Sequence, residues 1–311
     1  MEDFIIITDG SGDLTAEQRQ KFNIEKPLPG TVLWPDNVSR TADPDWNNIT
    51  PEKYFEMMDD KKNVFKTSLP APSEIYEILE KYAKEGKNII IPTLSGGMSG
   101  TFSVVSTTAN ELMENYPGVK IHVVDSRRYG GATALLAVTA SIHREKGFSF
   151  QETCDYIDNM ALNVHECGFL DDLFFLHRSG RVSKMAAVMG TMVGIKPMAD
   201  FDNETGKSIV IGKARGNKKF LKALPEYVKQ TIGSAHGKVF IVTHSNREKV
   251  AKEVERIIKE TFNPENILFV SLGQLNGANV GPGLCAVFYA GDEPTSPNCD
   301  REKEILEKIL A

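Results

Sequence analysis

The segment PTLSGGMSGT, residues 92–101, has the residue types of an anion-binding loop. It follows an apolar run typical of a buried strand and precedes a stretch predicted to be helical over 101–115. Backbone N–H groups at the start of a helix point outwards and favour a negatively charged group. Its glycines allow a ligand to approach the backbone, and the hydroxyls of Ser95, Ser99 and Thr101 add hydrogen-bond donors. A glycine-rich turn with an N-cap explains the same residues equally well.

This segment fits neither of two common catalytic loops. A Walker A loop needs a Lys-Ser or Lys-Thr pair, which is absent here. A nucleophile elbow needs glycine where Thr101 stands.

A second pair of hydroxyls lies in FKTSLPAPSEI, residues 65–75. Thr67 and Ser68 precede a turn that prolines restrict and that begins a helix predicted over 73–85. An ordinary capping turn is the alternative interpretation.

The third polar segment is IIITDGSGDLT, which carries Asp9, Ser11 and Asp13 after an apolar run. It begins like the dinucleotide-binding GxGxxG pattern, but Thr15 stands at the third glycine position. The alternative is a turn closed by Asx hydrogen bonds. In open α/β sheets, ligands bind beyond the carboxyl ends of the strands, so these segments are expected to converge.

The second half of the chain offers two more candidates. Residues 171–184 (DDLFFLHRSGRVSK) include Arg178 and Arg181 and could serve acid–base chemistry, although a solvated helix end explains them as well. Residues 273–283 are predicted to form a Gly- and Asn-rich loop with Asn279 as its main polar side chain, or simply a tight turn.

Composition excludes several classes of function. Lys plus Arg is 36 and Asp plus Glu is 42, and the resulting charge of −6 argues against nucleic acid as a partner. No histidine pair has zinc-binding spacing, and no metal is expected. The first residues lack the basic region of a signal peptide, and no apolar run is long enough to cross a bilayer, so we expect a cytoplasmic protein.

The elements that position these residues indicate an α/β fold. Apolar runs at 4–8, 88–93 and 121–125 alternate with amphipathic segments, which is typical of a parallel sheet covered on both faces. Residues 22–49 are predicted to form an ordered loop or an edge hairpin. A helix is also expected at 51–59, after the capping pair Thr50-Pro51.

The second half is predicted to contain a β-hairpin, three helices and three further strands. A Met-rich helix is predicted at about 183–193; its methionines and Met198 suit either a core or a pocket for a flexible acyl chain. We expect two domains, at residues 1–160 and 161–311.

The ordered set of motifs resembles the DegV family. The family pattern D-S-[ST]-S-D-L matches residues 9–14, T-S-x-P-S-P matches 67–72, and S-S-x-L-S-G-T-[YF] matches 95–102. Further on, V-[IV]-D-S-[RK] matches 123–127 and D-D-L-x-x-L-x-R-x-G-R-[IV]-S-…-I-K-P matches 171–197. The likeness therefore extends over nearly the whole chain.

The resemblance implies a fold and a function. Members resemble the fatty-acid-binding subunit of bacterial fatty acid kinase, with a three-layer α/β/α first domain, a two-layer α/β second domain and a ligand tunnel between them. They hold a long-chain fatty acid such as palmitate, stearate or oleate, need no cofactor, and present its carboxylate to a separate ATP-dependent kinase. Peripheral or transient membrane contact is compatible with that role.

The resemblance also assigns roles to individual residues. The carboxylate is expected at Thr67, Ser99, Gly100 and Thr101. Its neighbourhood would include Ser68, Ser95 and Asn279, and the pocket mouth or kinase-docking face would include Arg178 and Arg181.

Some positions depart from the family pattern. Asn279 replaces a histidine, and glycines replace serines at 10, 12 and 96. An amide cannot titrate as imidazole does, so phosphoryl transfer is affected more than binding. Two other functions remain open: a stand-alone enzyme that uses loop 95–101 with Asp9 or Asp13, and a lipid-sensing regulatory module.

Overall fold

The computed structural model describes residues 3–182, 194–233 and 239–311. The helix predicted at 183–193 lies outside the described residues. The first part of the chain forms, in order, β1 (Phe4–Ile6), α1 (Ala16–Lys21), β2 (Thr31–Leu33), β3 (Ser39–Thr41), α2 (Pro51–Glu56), β4 (Lys66–Ser68), α3 (Pro72–Lys84), β5 (Asn88–Thr93), α4 (Thr101–Asn115), β6 (Ile121–Asp125), α5 (Gly131–Glu145) and α6 (Phe150–Leu162).

The second part forms β7 (Val164–Phe169), α7 (Phe174–Arg178), β8 (Ile195–Asp202), β9 (Lys207–Arg215), α8 (Gly216–Thr231), β10 (Val239–His244), α9 (Glu248–Phe262), β11 (Asn266–Ser271), α10 (Gln274–Val280), β12 (Cys285–Ala290), a 3₁₀ turn (Pro297–Cys299) and α11 (Asp300–Leu310). None of the helices in these described ranges is both long and apolar enough to cross a bilayer.

The first sheet is parallel, with strand order β1-β5-β6. Its strands are apolar on both faces because helices cover both. Ile89 and Ile91 pack with the apolar faces of α3 and α4, whereas Ile90 packs with α5 and α6. This confirms the predicted three-layer α/β/α arrangement.

The second sheet has six strands in the order β11-β10-β12-β7-β8-β9. β10 and β11 are parallel, and the remaining pairs are antiparallel. One face packs on α8, α9 and α11 through residues such as Phe169, Phe220 and Val254. Phe201, Ala286 and Phe288 on the other face belong to a core shared with α5 of the first part. This is the expected two-layer unit, with its free face turned towards the parallel sheet's helices; the boundary at residue 160 stays a prediction.

A third, small antiparallel sheet has the order β3-β2-β4. It confirms the hairpin interpretation of residues 22–49, but β4 was not predicted. β4 comprises only Lys66, Thr67 and Ser68, and its extended conformation comes from pairing with β2 rather than from an apolar pattern. This pairing aligns Thr67 with Val32 and thereby fixes one candidate site residue.

Two local predictions needed correction. The helix predicted at 51–59 ends at Glu56, although Thr50 caps it as expected. The segment predicted as a loop from 273 contains α10, and the tight turn begins only at Gly281, whose φ is +72°. Because α10 is helical, Leu275 and Asn279 are one turn apart on one face.

Candidate functional site

A cavity of about 360 Å³ lies where the first sheet's strand ends, β4 and α10 meet the free face of the second sheet. Its volume falls in the range of about 300–1,000 Å³ typical of ligand pockets. Most of its wall is apolar. The apolar contributors include Leu69, Leu94, Met98, Leu170, Leu176, Phe201, Leu275 and Val280.

Four of the predicted site residues line the cavity: Thr67, Ser99, Thr101 and Asn279. The hydroxyls of Ser99 and Thr101 lie 2.9 Å apart, and the Thr101 N–H donates to Ser99 Oγ at 3.3 Å. Asn279 Nδ2 donates to Thr67 Oγ1 at 3.2 Å and to the Leu275 carbonyl at 3.0 Å. Since Thr67 Oγ1 accepts from Asn279, its own proton can be donated to a ligand oxygen. We call this set the polar end.

The start of α4 adds a positive electrostatic contribution to the polar end. The helix has 15 residues, begins after Gly100, and has neither a side-chain cap nor an acidic residue in its first turn. An anion at this position therefore meets the positive end of the helix dipole without competition from a carboxylate. Gly100 itself lines the cavity, and Ser68 and Leu69 are exposed at its rim.

Asp9 lines the cavity, and both of its carboxyl oxygens accept hydrogen bonds from neighbouring residues. Its Oδ1 accepts from the Ser11 N–H at 3.0 Å and from Ser11 Oγ at 2.5 Å, and its Oδ2 accepts from the Leu94 N–H at 2.9 Å. The bond to the Ser11 N–H closes an Asx turn, which confirms the turn interpretation of this segment. Burial raises the pKa of Asp9.

Asp13 joins the two parts of the molecule. Its carboxylate accepts from the Gly273 N–H at 2.9 Å and from Asn276 Nδ2 at 2.9 Å. Asn276 Nδ2 also donates to the Ser11 carbonyl at 3.0 Å. Burial raises the pKa of Asp13 to about 8. These bonds hold α10, and with it Asn279, against the first part of the chain.

Ser95 does not reach the polar end. It is fully buried, donates to the Gly206 carbonyl at 2.7 Å and accepts from the Gly97 N–H at 3.1 Å. It does not contribute to the cavity wall. Its hydroxyl instead fixes the loop at residues 94–100 to the turn between β8 and β9.

The two arginines occupy different environments. Arg181 lines the cavity and donates to the Ser179 carbonyl at 2.5 Å. Arg178 is not part of the wall; it donates to the Lys61 and Asn63 carbonyls at 3.1 and 3.3 Å and packs on the ring of Phe175. Burial lowers the pKa of both guanidinium groups. Of the pair, only Arg181 is placed to contact a molecule in the cavity.

Sequence reasoning missed a buried acid in the cavity wall. Glu166 is 2% exposed, and its Oε1 accepts from the Tyr129 hydroxyl at 2.8 Å. Burial, reinforced by the charge of Asp200, raises the pKa of Glu166 to about 8. The only sequence signal was a glutamate within VHECGF, a run that forms the fully buried β7.

The chain is similar to known proteins along almost its entire length. It is 28% identical over 297 residues to a DegV domain-containing protein of Clostridium perfringens, covering 94% of this chain and 99% of the relative. A DegV-family protein of Ruminococcus gnavus, refined with vaccenic acid, superposes with a TM-score of 0.80 at 25% identity, covering 92% of this chain and 99% of that one.

A second solved structure is the fatty acid kinase (Fak) B3 protein of Streptococcus pneumoniae, loaded with linoleic acid. It superposes with a TM-score of 0.79 at 23% identity over 94% of this chain and all of that one. The sequence model of the DegV family matches residues 3–292. The chain therefore belongs to the DegV family.

Proposed function

We propose that this protein binds one long-chain fatty acid in the cavity, with the carboxylate at the polar end, and presents it to a separate ATP-dependent kinase. The observation that carries the proposal is a mostly apolar cavity whose wall includes hydroxyl donors beside a helix N-terminus. Such an end stabilises an anion through charge-assisted hydrogen bonds, without a full counter-charge. Thr67, Ser99 and Thr101 supply the hydroxyls, and Gly100 leaves the backbone accessible.

The ligands named for similar structures support this choice of anion. The Ruminococcus gnavus protein holds vaccenic acid and the Streptococcus pneumoniae protein holds linoleic acid. A protein of the same fold from Eubacterium eligens is loaded with heptadecanoic acid. All three ligands pair one carboxylate with a long apolar chain, which suits a mostly apolar cavity with hydroxyl donors in its wall.

The energetics favour a long chain. Burial of a methylene contributes about 0.8 kcal/mol, so ~14 methylenes give a gross term near 11 kcal/mol. Loss of translational and chain freedom offsets a large part of that term. The polar end therefore selects and orients the carboxylate, and the apolar wall supplies most of the affinity.

Presentation to a kinase fits the position of the polar end. Ser68 and Gly100 are exposed beside it, so an attacking group can reach a carboxylate held there. Arg178, outside the wall, is a candidate for the docking face. A carrier that receives its acyl chain from a bilayer and delivers it to an ATP-dependent kinase works in the cytoplasm and contacts the membrane only transiently.

The stand-alone enzyme is the weaker alternative. It needs Asp9 or Asp13 as a free base, but Ser11 and Leu94 engage both oxygens of Asp9, and Asp13 binds α10. A lipid-sensing module would also bind a fatty acid. It would differ in giving no acyl phosphate when the loaded protein is mixed with an acyl kinase subunit and ATP.

The first test is mass spectrometry of lipid released from the denatured protein, followed by calorimetric titration of delipidated protein with palmitate. The double variant Thr67→Ala, Ser99→Ala should lose about 3–6 kcal/mol of binding free energy, because hydrogen bonds to a charged group contribute about 1.5–3 kcal/mol each. The matched control is Ser103→Ala, which removes an exposed hydroxyl of α4 outside the cavity. Unchanged palmitate affinity in the double variant would rule out this head-group site.

A further inference from the structure

The wall of the cavity contains a carboxyl group, that of Glu166, although an alkyl chain offers no hydrogen-bond partner for it. β7 is the fourth strand of the six-stranded sheet, and its side chains alternate between the two faces. Glu166 and Gly168 share one face, and Gly168 pairs with Ala286 and Ala199 on the neighbouring strands. Glu166 and Ala199 both contribute to the cavity wall on this face of the sheet.

Only one oxygen of Glu166 is satisfied. Oε1 accepts from the Tyr129 hydroxyl at 2.8 Å. The Tyr129 ring packs 5.7 Å from Phe201 and 5.4 Å from Phe288, which fixes the hydroxyl in place. Oε2 is buried, and no group in the described ranges hydrogen-bonds to it. Buried polar atoms normally have a partner, so the partner of Oε2 is expected inside the cavity.

The charge state of Glu166 limits what that partner can be. Burial and the nearby charge of Asp200 raise the pKa of Glu166 to about 8, so the group is a neutral carboxylic acid at pH 7. A neutral acid presents one O–H donor and one acceptor. It therefore suits an oxygen that can accept a hydrogen bond, such as a hydroxyl or a ketone, better than a cation.

We propose that the cavity is adapted to an oxygenated acyl chain, and that a hydroxyl or keto oxygen within that chain hydrogen-bonds Glu166 Oε2. The inference rests on the proposed fatty-acid binding and specifies its substrate class. The polar end holds the carboxylate, and Glu166 holds the second oxygen at a fixed distance along the chain. Glu166 is then a specificity-determining residue that selects the position of the oxygen.

The experiment titrates delipidated full-length protein with palmitic acid and with a positional series of monohydroxypalmitic acids. At least one positional isomer should bind about five- to tenfold more tightly than palmitic acid, the effect of one well-placed hydrogen bond. In Glu166→Leu that preference should disappear, while palmitic acid binds at least as tightly as to the wild type. Ser103→Ala, which removes an exposed hydroxyl outside the cavity, should leave the preference unchanged.

Two results would overturn the inference: no isomer exceeds palmitic acid, or the preference persists in Glu166→Leu. The first result would mean that a water molecule is the hydrogen-bond partner of Oε2. Failure to bind palmitic acid or any hydroxylated isomer would overturn the proposed function as well, so the two failures are distinguishable. If Glu166→Leu does not fold, a crystal structure of the wild type with the preferred isomer decides, because the hydroxyl oxygen must lie within about 3 Å of Oε2.

Discussion

Replacing Asn279 with Asp exchanges the side-chain nitrogen for an oxygen and places a negative charge in the polar end. Asn279 Nδ2 lies 3.2 Å from Thr67 Oγ1, so a carboxylate bound to that hydroxyl would lie within about 6 Å of the new charge. Two like charges at that separation repel by about 3 kcal/mol at an effective dielectric constant near 20. Myristate affinity should therefore fall about 100-fold.

The assay is displacement of a fluorescent fatty acid at pH 8 by myristate and by the neutral alcohol tetradecanol. The alcohol should lose only about fivefold, because Asn279→Asp also removes the donor to Thr67 and to the Leu275 carbonyl. Asn110→Asp is the control, since it makes the same change of net charge at an exposed position of α4. Equal losses for acid and alcohol, or no loss for the acid, would refute the placement of the carboxylate.

Two further predictions concern stability. Gly97→Ala should lower the free energy of unfolding, measured in urea, by about 1–3 kcal/mol, because a Cβ there would lie 1.9 Å from the Thr205 carbonyl oxygen. The control Gly118→Ala, which has open space around it, should leave the free energy of unfolding unchanged. Equal effects of the two substitutions would argue against this packing around Gly97. Glu166 has a pKa of about 8 in the folded protein and an ordinary value of 4.5, so the folded state holds an extra proton between about pH 5 and pH 8. Its stabilising contribution is present below that range and is lost as pH rises through it, with a slope of about 1.4 kcal/mol per pH unit. Denaturant titrations of Glu166→Gln should show a shallower decline over this range, and an unchanged slope would mean that Glu166 is ionised at pH 7.

The strands and helices that carry strong apolar periodicity could be predicted from the sequence. The run 88–93 and the helix at 101–115 were predicted correctly because a buried strand and an amphipathic helix each have a local pattern. β4 has no such pattern, since Thr67 and its two neighbours are extended only because β2 pairs with them. Local sequence reasoning cannot detect an element whose conformation is set by a distant partner.

The same limit applies to the site. Thr67 and Asn279 are 212 positions apart in the chain, and their hydrogen bond depends on α10 being docked by Asp13. Family resemblance could pair these residues, but physical reasoning from spacing could not. Neither family resemblance nor reasoning from spacing identified Glu166. A single acid in a buried strand forms no motif, and its role becomes visible only when its surroundings are known.

The structure separates the departures from the family pattern into two kinds. A Cβ on Gly10 would lie 2.5 Å from Leu275 Cδ1, and one on Gly12 would lie 2.1 Å from Thr8 Oγ1. Gly96 faces Asp125, whose Oδ2 would lie 3.2 Å from an added Cβ. Glycine at these three positions therefore avoids close contacts with Leu275, Thr8 and Asp125, and Gly10 also lines the cavity. Asn279 is the departure that hydrogen-bonds to Thr67, and it replaces a titratable ring by a neutral donor. Under the proposed function, a change in phosphoryl transfer from ATP to the bound carboxylate should be traced to position 279, whereas a change in which acyl chain is bound should be traced to Glu166.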